Sequence, residues 1–217
     1  MQELFFKNAV RPADLSILEA VSGVVGPSFY LAGGTALSLL LGHRSSYDLD
    51  FFSPQPFRND LLRREAEALG TFEVFADSRG TLEGRIGETR VTFLEYRYPL
   101  MQPTADLGAA KVASIADIAA MKLSALSSRG SRKDFTDLFF IKDFMDWPEI
   151  LRVFRAKFAG SGYDLVHVVK SLAWFEEAEK EPMPVMIKAF SWEGVKKYFS
   201  ELQGILSQGL KPGNETR

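Results

Sequence analysis

The chain has 217 residues, 46% of them hydrophobic and 25% charged, with a formal net charge of −2. That length suffices for one large domain or two small ones with a genuine core, and the composition is that of an ordinary globular protein. With no cysteine and only two histidines, His43 and His167, disulfides, thiolate zinc sites and cysteine nucleophiles are excluded, and histidine-based chemistry would hang on a single ring.

In chain order, MQELFFKNAVRP lacks the apolar core and small-residue cleavage site of a signal peptide. Pro12 to about Val24 has helical apolar spacing, with the proline placed as a helix starter. Ser28–Ala32 reads as a strand running into Gly33-Gly34, and Thr35–Leu41 as a helix burying Leu37, Leu40 and Leu41. The apolar run near Leu37–Leu41 is far short of the roughly 20 residues of a membrane span, so the expectation is a soluble, cytoplasmic protein with no membrane partner. Ser46–Phe52 alternates as a strand before Ser53-Pro54, and Asn59–Leu69 is helical. Phe72 to Tyr98 carries strand signal throughout, ending in a hairpin around Gly87-Glu88-Thr89. Pro99 and Pro103 bracket a linker to Gly108. Beyond it Ser114-Ile-Ala-Asp117 is a capping box in form and opens IAAMKLSAL. Helices follow over 132–145, from 147, over 163–179 and over 192–207, and the tail KPGNETR is expected to be disordered. The layout is an α/β half, 1–108, followed by an all-helical half, 109–217.

Gly33-Gly34 followed by Asp48-Leu49-Asp50 is the feature with chemical content. A strand–Gly-Gly–helix corner lets backbone N–H groups approach a phosphate chain at a helix N-terminus. Aspartates at i and i+2 of a strand share one face, and a hard divalent cation such as Mg²⁺ resolves their repulsion. Such a pair can hold two metals about 3.5–4 Å apart. Gly-Gly is common in turns, and Asp-x-Asp can be the solvent side of an edge strand. It is their order and their placement on these elements that favour a site.

The segment LAGGTALSLLLGHRSSYDLDFF resembles the nucleotidyltransferase signature of polymerase-β-like enzymes. With GETRVTFLEYRYPL and IADIAAMKLSALSSRGSRKDFTDLFFI it is similar, more narrowly, to the AbiEii family of abortive-infection proteins, toxins of type IV toxin–antitoxin systems. The resemblance implies metal-dependent transfer of a nucleotide from an NTP to an acceptor, with RNA, tRNA included, as a candidate acceptor and an antitoxin protein as partner. It also implies that Gly33, Gly34 and Thr35 hold the triphosphate and that Asp48 and Asp50 ligate Mg²⁺, with Mn²⁺ as a substitute. Lys122 would then bind NTP phosphates, and Asp137 would be the last acidic position. Lys122 also fits the pattern of a solvated lysine on an apolar helix. Asp134, one turn before Asp137, either points into the same cleft or serves Arg132, Lys133 or the helix cap. Polymerase-β-like enzymes bring a third carboxylate from a neighbouring strand. Here the candidate is Glu95, which shares parity with Val91 and Phe93 and ends a buried row at the cleft or sits at the surface of the strand end.

The fold implied is α/β of the α+β kind, a polymerase-β-like core with a mixed sheet and flanking helices, then an all-helical domain contributing Lys122 and Asp137. His43-Arg44 reads equally as a base or phosphate contact and as a loop cap. Arg129, Arg132, Lys133, Arg152, Arg155 and Lys157 would form either a basic patch for tRNA or a scattered solvated face. Two rivals stand beside the leading reading: a small-molecule, antibiotic-type nucleotidyltransferase, and an inactive scaffold of the same fold. The base, the acceptor and the oligomeric state are not legible.

Overall fold

In the computed structural model, which describes residues 5–209, Pro12 opens helix α1 (Pro12–Val24) behind an extended Arg11. A proline there forfeits only an N–H that has no intrahelical partner. Asp14, fully buried in the first turn of α1, accepts from two Arg11 guanidinium nitrogens at 2.7 and 2.8 Å and from the Thr89 hydroxyl at 2.6 Å. A buried carboxylate needs such partners.

The first unit, ending at Ile118, is built on a seven-stranded sheet of order β3-β4-β5-β2-β1-β7-β6. Its strands are β1 (Tyr30–Ala32), β2 (Leu49–Ser53), β3 (Phe72–Ser78), β4 (Thr81–Ile86), β5 (Thr89–Glu95), β6 (Ala105–Leu107) and β7 (Ala110–Val112). The β1/β7 and β2/β5 pairs are parallel and the rest antiparallel, so the sheet is mixed. Helices α2 (Gly33–Leu41) and α3 (Asn59–Leu69) complete the unit together with α1. Strand parity sorts the residues. Leu49, Phe51, Leu82, Val91 and Phe93 are sealed, and Phe51 stacks on Phe93 at 5.6 Å between ring centroids. Asp50, Thr92 and Glu83 take the opposite face.

The stretch 99–108, read from the sequence as a linker, contains β6, and β7 follows it as the parallel neighbour of β1. The division therefore falls at Ile118 and not at Gly108. Ser114 caps the helix: the Asp117 N–H donates to Ser114 Oγ at 3.0 Å. Its carboxylate then accepts from Ser114 Oγ and from the backbone N–H groups of Met101 and Gln102, at 2.7, 2.9 and 3.2 Å. The Asp117 carboxylate thus braces the Ser114 cap and anchors the segment ahead of it.

Helix α4 (Ile115–Arg129) runs across the division. The second unit adds α5 (Arg132–Ile141), α6 (Trp147–Lys157), α7 (Leu165–Ser171), α8 (Glu176–Lys180) and α9 (Trp192–Gly209). Phe135 of α5 is the hub of an aromatic core, 4.9 Å from Phe175 and 5.3 Å from Phe199, with Trp192 edge-on. The single helix expected over 163–179 is two, α7 and α8. The break turns Phe175 into that core and leaves Trp174 60% exposed. Among the described residues no helix is long and apolar enough to cross a membrane. The tail KPGNETR lies outside the described residues.

Candidate active site

Strand β1 is buried at every residue and delivers the chain to Gly33, the first residue of α2. Gly33 has φ +72°, in the left-handed region where a side chain is strained. A Cβ there would also lie 2.8 Å from Asp50 Oδ2. Gly34 is crowded from the other side, because a Cβ would stand 2.6 Å from an Arg44 guanidinium nitrogen and 3.1 Å from Ser46 Oγ. The two glycines are thus set by chemistry on either flank, a carboxylate at Gly33 and a guanidinium at Gly34, at the N-terminus of a nine-residue helix. That terminus presents backbone N–H groups with no intrahelical partner and favours negative charge.

The aspartate pair is staggered in exposure. Asp48, just ahead of β2, is exposed, Leu49 is sealed, and Asp50 is half-buried opposite Ala32 of β1. Thr35 is fully buried. Its hydroxyl donates to the Asp48 carbonyl at 2.5 Å and lies 2.9 Å from Ser46 Oγ. The hydroxyl of Thr35, a residue that the resemblance assigns to the triphosphate, thus ties α2 to the loop that presents Asp48. Arg44, also buried, donates to the Ser45 carbonyl at 3.1 Å besides its approach to Gly34, so it shapes the corner from inside.

Glu95 is not brought to the pair. It lies opposite Ser53, three residues beyond the Asp50–Thr92 pair and of opposite parity, so it belongs to the other face of the sheet. There it pairs with Arg97 and packs against Gly80. The strand position beside Asp50 is held by Thr92, and the next strand places Glu83 opposite Thr92. Glu83 accepts from Arg90 at 2.5 Å. Arg90 follows the same parity, one step before the Leu49–Val91 pair as Asp48 is. The Arg90 guanidinium is held above its ordinary pKa first by the Glu83 hydrogen bond, against burial, with the charges of Glu83, Asp48 and Asp50 adding to it. The Gly87-Glu88 hairpin aligns Glu83 with Thr92 and Arg85 with Arg90. That register is readable from the turn, but the pairing of β5 with β2 is not, and this is why Arg90 and Glu83 escape a sequence reading.

In the helical unit, Lys122 is buried, its ammonium 2.6 Å from Asp137 and 3.1 Å from Asp134. Asp134 also accepts from Arg129 at 2.8 and 3.0 Å and from Ser131 Oγ at 2.8 Å. Burial pushes the Asp134 carboxyl up, yet Lys122 and Arg129 together hold it below its ordinary range. With no exposed surface, Asp134 is taken up by these partners and holds Lys122 and Arg129 in place. Of the six basic residues considered as a patch, Arg132 is buried, donating to the Ala178 carbonyl at 2.7 Å, and Lys157 is buried as well. They are internal ties.

The AbiEii nucleotidyl transferase toxin model of type IV toxin–antitoxin systems matches residues 16–110. An uncharacterised protein of Aquifex aeolicus (strain VF5) is 35% identical over 190 residues, covering 84% of this chain and 86% of that protein. The chain belongs to the AbiEii family. The fold agrees. MenT4, a nucleotidyltransferase toxin of Mycobacterium tuberculosis H37Rv, superposes with TM-score 0.56 at 16% identity over 93% of this chain and 85% of its own. JHP933 of Helicobacter pylori does so with TM-score 0.55 at 15% identity, over 93% and 95%. The AbiEii match encloses the Gly-Gly corner, both aspartates, Glu83 and Arg90, and stops before Lys122.

Among the described residues no group of three or more histidine, aspartate or glutamate side chains is gathered as a metal site. Asp48 and Asp50 bring two carboxylates to the start of β2, beside the Gly-Gly corner. Such a set suits Mg²⁺, which binds through one or two carboxylates and completes its shell with substrate phosphates and water.

Proposed function

We propose that this AbiEii-family chain transfers a nucleotide from an NTP to an RNA acceptor, tRNA included, in the cytoplasm, restrained by a cognate antitoxin protein. The observation that carries the proposal is the contact of the Asp50 carboxylate with Gly33. It sets a carboxylate, a group suited to a divalent cation, against the helix terminus where phosphate oxygens would be received. In this reading the N–H groups at Gly33 and Gly34 orient the triphosphate, and Asp48 and Asp50 bind Mg²⁺. Bound there, the cation would neutralise the leaving pyrophosphate and acidify the acceptor hydroxyl. The acceptor oxygen attacks the α-phosphorus in line as the bond to the β-phosphate oxygen breaks, releasing pyrophosphate. The protein contributes chiefly by positioning and charge. Arg90, exposed on the same sheet face as Asp50, offers a second cation to the phosphates. From the helical unit, Lys122, held by Asp134 and Asp137, is assigned to NTP phosphate as a point charge.

The test is incubation of the protein with each α-labelled NTP, Mg²⁺ and total RNA. Label is expected on RNA, and Asp50→Ala is expected to lose it. Label on a small molecule instead would move the acceptor to the antibiotic-modifying class. Absence of any transfer together with absence of Mg·NTP binding would leave only a scaffold role.

A further inference from the structure

We infer that a cleft in the helical unit binds one nucleotide of a single-stranded RNA, its base on Trp174 and its phosphate on Lys170 and Arg129. The inference rests on the RNA-acceptor reading above and gives that acceptor a place. The cleft lies between the C-terminal end of α4 and α7, has a volume of about 360 Å³, and is lined by Arg129, His167, Lys170 and Trp174 among others. That is the size of a small-ligand pocket.

Its aromatic wall is unusual for this molecule. Trp147 and Trp192 are buried, and both join the ring cluster around Phe135 and Phe199. Trp174 stands apart: it is 60% exposed, and no ring contact is made by its indole among the described residues. Its neighbour Phe175 is taken by the core, so the break between α7 and α8 turns one ring inward and leaves the other beside the cleft. An exposed indole face is a platform on which any base can stack.

The charges match a phosphodiester better than a free triphosphate. Lys170, exposed in the last turn of α7, pairs with no carboxylate among the described residues. Arg129 is 63% exposed although it also holds Asp134. His167 donates from Nε2 to the Ser127 carbonyl at 3.0 Å, which fixes its ring at the cleft wall. The acidic lining residue, Glu177, is engaged by Lys180 at 2.7 Å. The cleft faces the C-terminal end of α4, whose carbonyls disfavour concentrated negative charge. Two cations here suit one or two diester phosphates. Arg129 thus shares Asp134 with Lys122, so the cleft and the Lys122–Asp137 pair meet at one buried carboxylate.

The test uses the full chain and a pentaribonucleotide. Its addition is expected to quench the tryptophan fluorescence of the wild-type protein, because the base covers the one exposed indole. By anisotropy of the same oligonucleotide labelled with fluorescein, Trp174→Ala and Lys170→Glu are each expected to weaken binding about ten-fold, and Trp174→Phe less. Both positions are exposed, and unchanged thermal melts would certify folding. Unaltered affinity in both variants, or quenching by CTP alone and not by the oligonucleotide, overturns the inference. So does binding of a protein partner at Trp174 in place of RNA. Its failure is separable from failure of the proposed function. Label transfer to RNA with unchanged KM in Trp174→Ala and Lys170→Glu would sink only the cleft. No transfer by the wild-type protein, with quenching intact, would sink only the reaction.

Discussion

At the scale of single residues, the corner at Gly33 joins backbone conformation to chemistry. A side chain there meets two obstacles, a left-handed φ of +72° and the Asp50 carboxylate at 2.8 Å. The first costs about 1–2 kcal/mol of stability. The second displaces the group proposed to bind metal. Gly33→Ala is therefore expected to lower the melting temperature modestly while cutting nucleotidyl transfer about a hundredfold or more, read by thermal denaturation beside the labelled-NTP assay. Asp134 is the opposite case, a sealed carboxylate whose bonds hold a candidate functional lysine. Burial raises its carboxyl pKa, and Lys122 and Arg129 more than reverse that. Because its pKa is lower folded than unfolded, its stabilisation is complete above the unfolded value of about 3.9 and is lost as pH falls through the folded value. Asp134→Asn breaks a buried pair and is expected to cost about 3–5 kcal/mol at neutral pH. Melting curves of wild type and variant should stay apart down to about pH 4 and converge only as pH falls through the lower folded value.

Among the elements, the start of α4 shows how a cap and the carboxylate bracing it hold two segments. Ser114→Ala removes an ordinary N-cap, worth about 1 kcal/mol. Asp117→Ala removes the acceptor of three hydrogen bonds, two of them from the backbone at Met101 and Gln102. Its cost is expected to be about 2–3 kcal/mol, since the freed N–H groups lose a charged partner. Urea unfolding of the two variants checks the ordering, and equal losses would mean that the carboxylate acts only through the Ser114 cap. Sequence pattern found the cap because Ser-x-x-Asp before an apolar run is a local signal. The grip on Met101 was invisible, because it depends on where residues 99–104 return. The same limit explains Glu95. Its parity with Val91 and Phe93 was read correctly, but that parity is the reason it turns away from Asp50.

For the molecule as a whole, the sheet decides where the chain can be cut. A chain ended after Gly108 loses β7, the parallel neighbour of β1, and leaves the strand behind the Gly-Gly corner as a raw edge. It is expected to show no cooperative unfolding transition by circular dichroism, whereas a chain ended after Arg129 keeps all seven strands and the whole of α4 and should unfold cooperatively. The boundary read from composition fell ten residues short because β6 and β7, three residues each, are too short to show a period. The sequence by itself determined the helix starts, the hairpin, the Gly-Gly corner and the spacing of Asp48 and Asp50, since each is written within a few residues of the chain. The resemblance of its segments determined the family. Only the tertiary structure decided that Asp50 rests on Gly33, that Arg90 and Glu83 share its sheet face, that Thr35 and Asp134 are spent on internal bonds, and that Trp174 stands beside a cationic cleft. These depend on which strands pair and which helices pack, and such choices are made by burial of surface far apart in the chain.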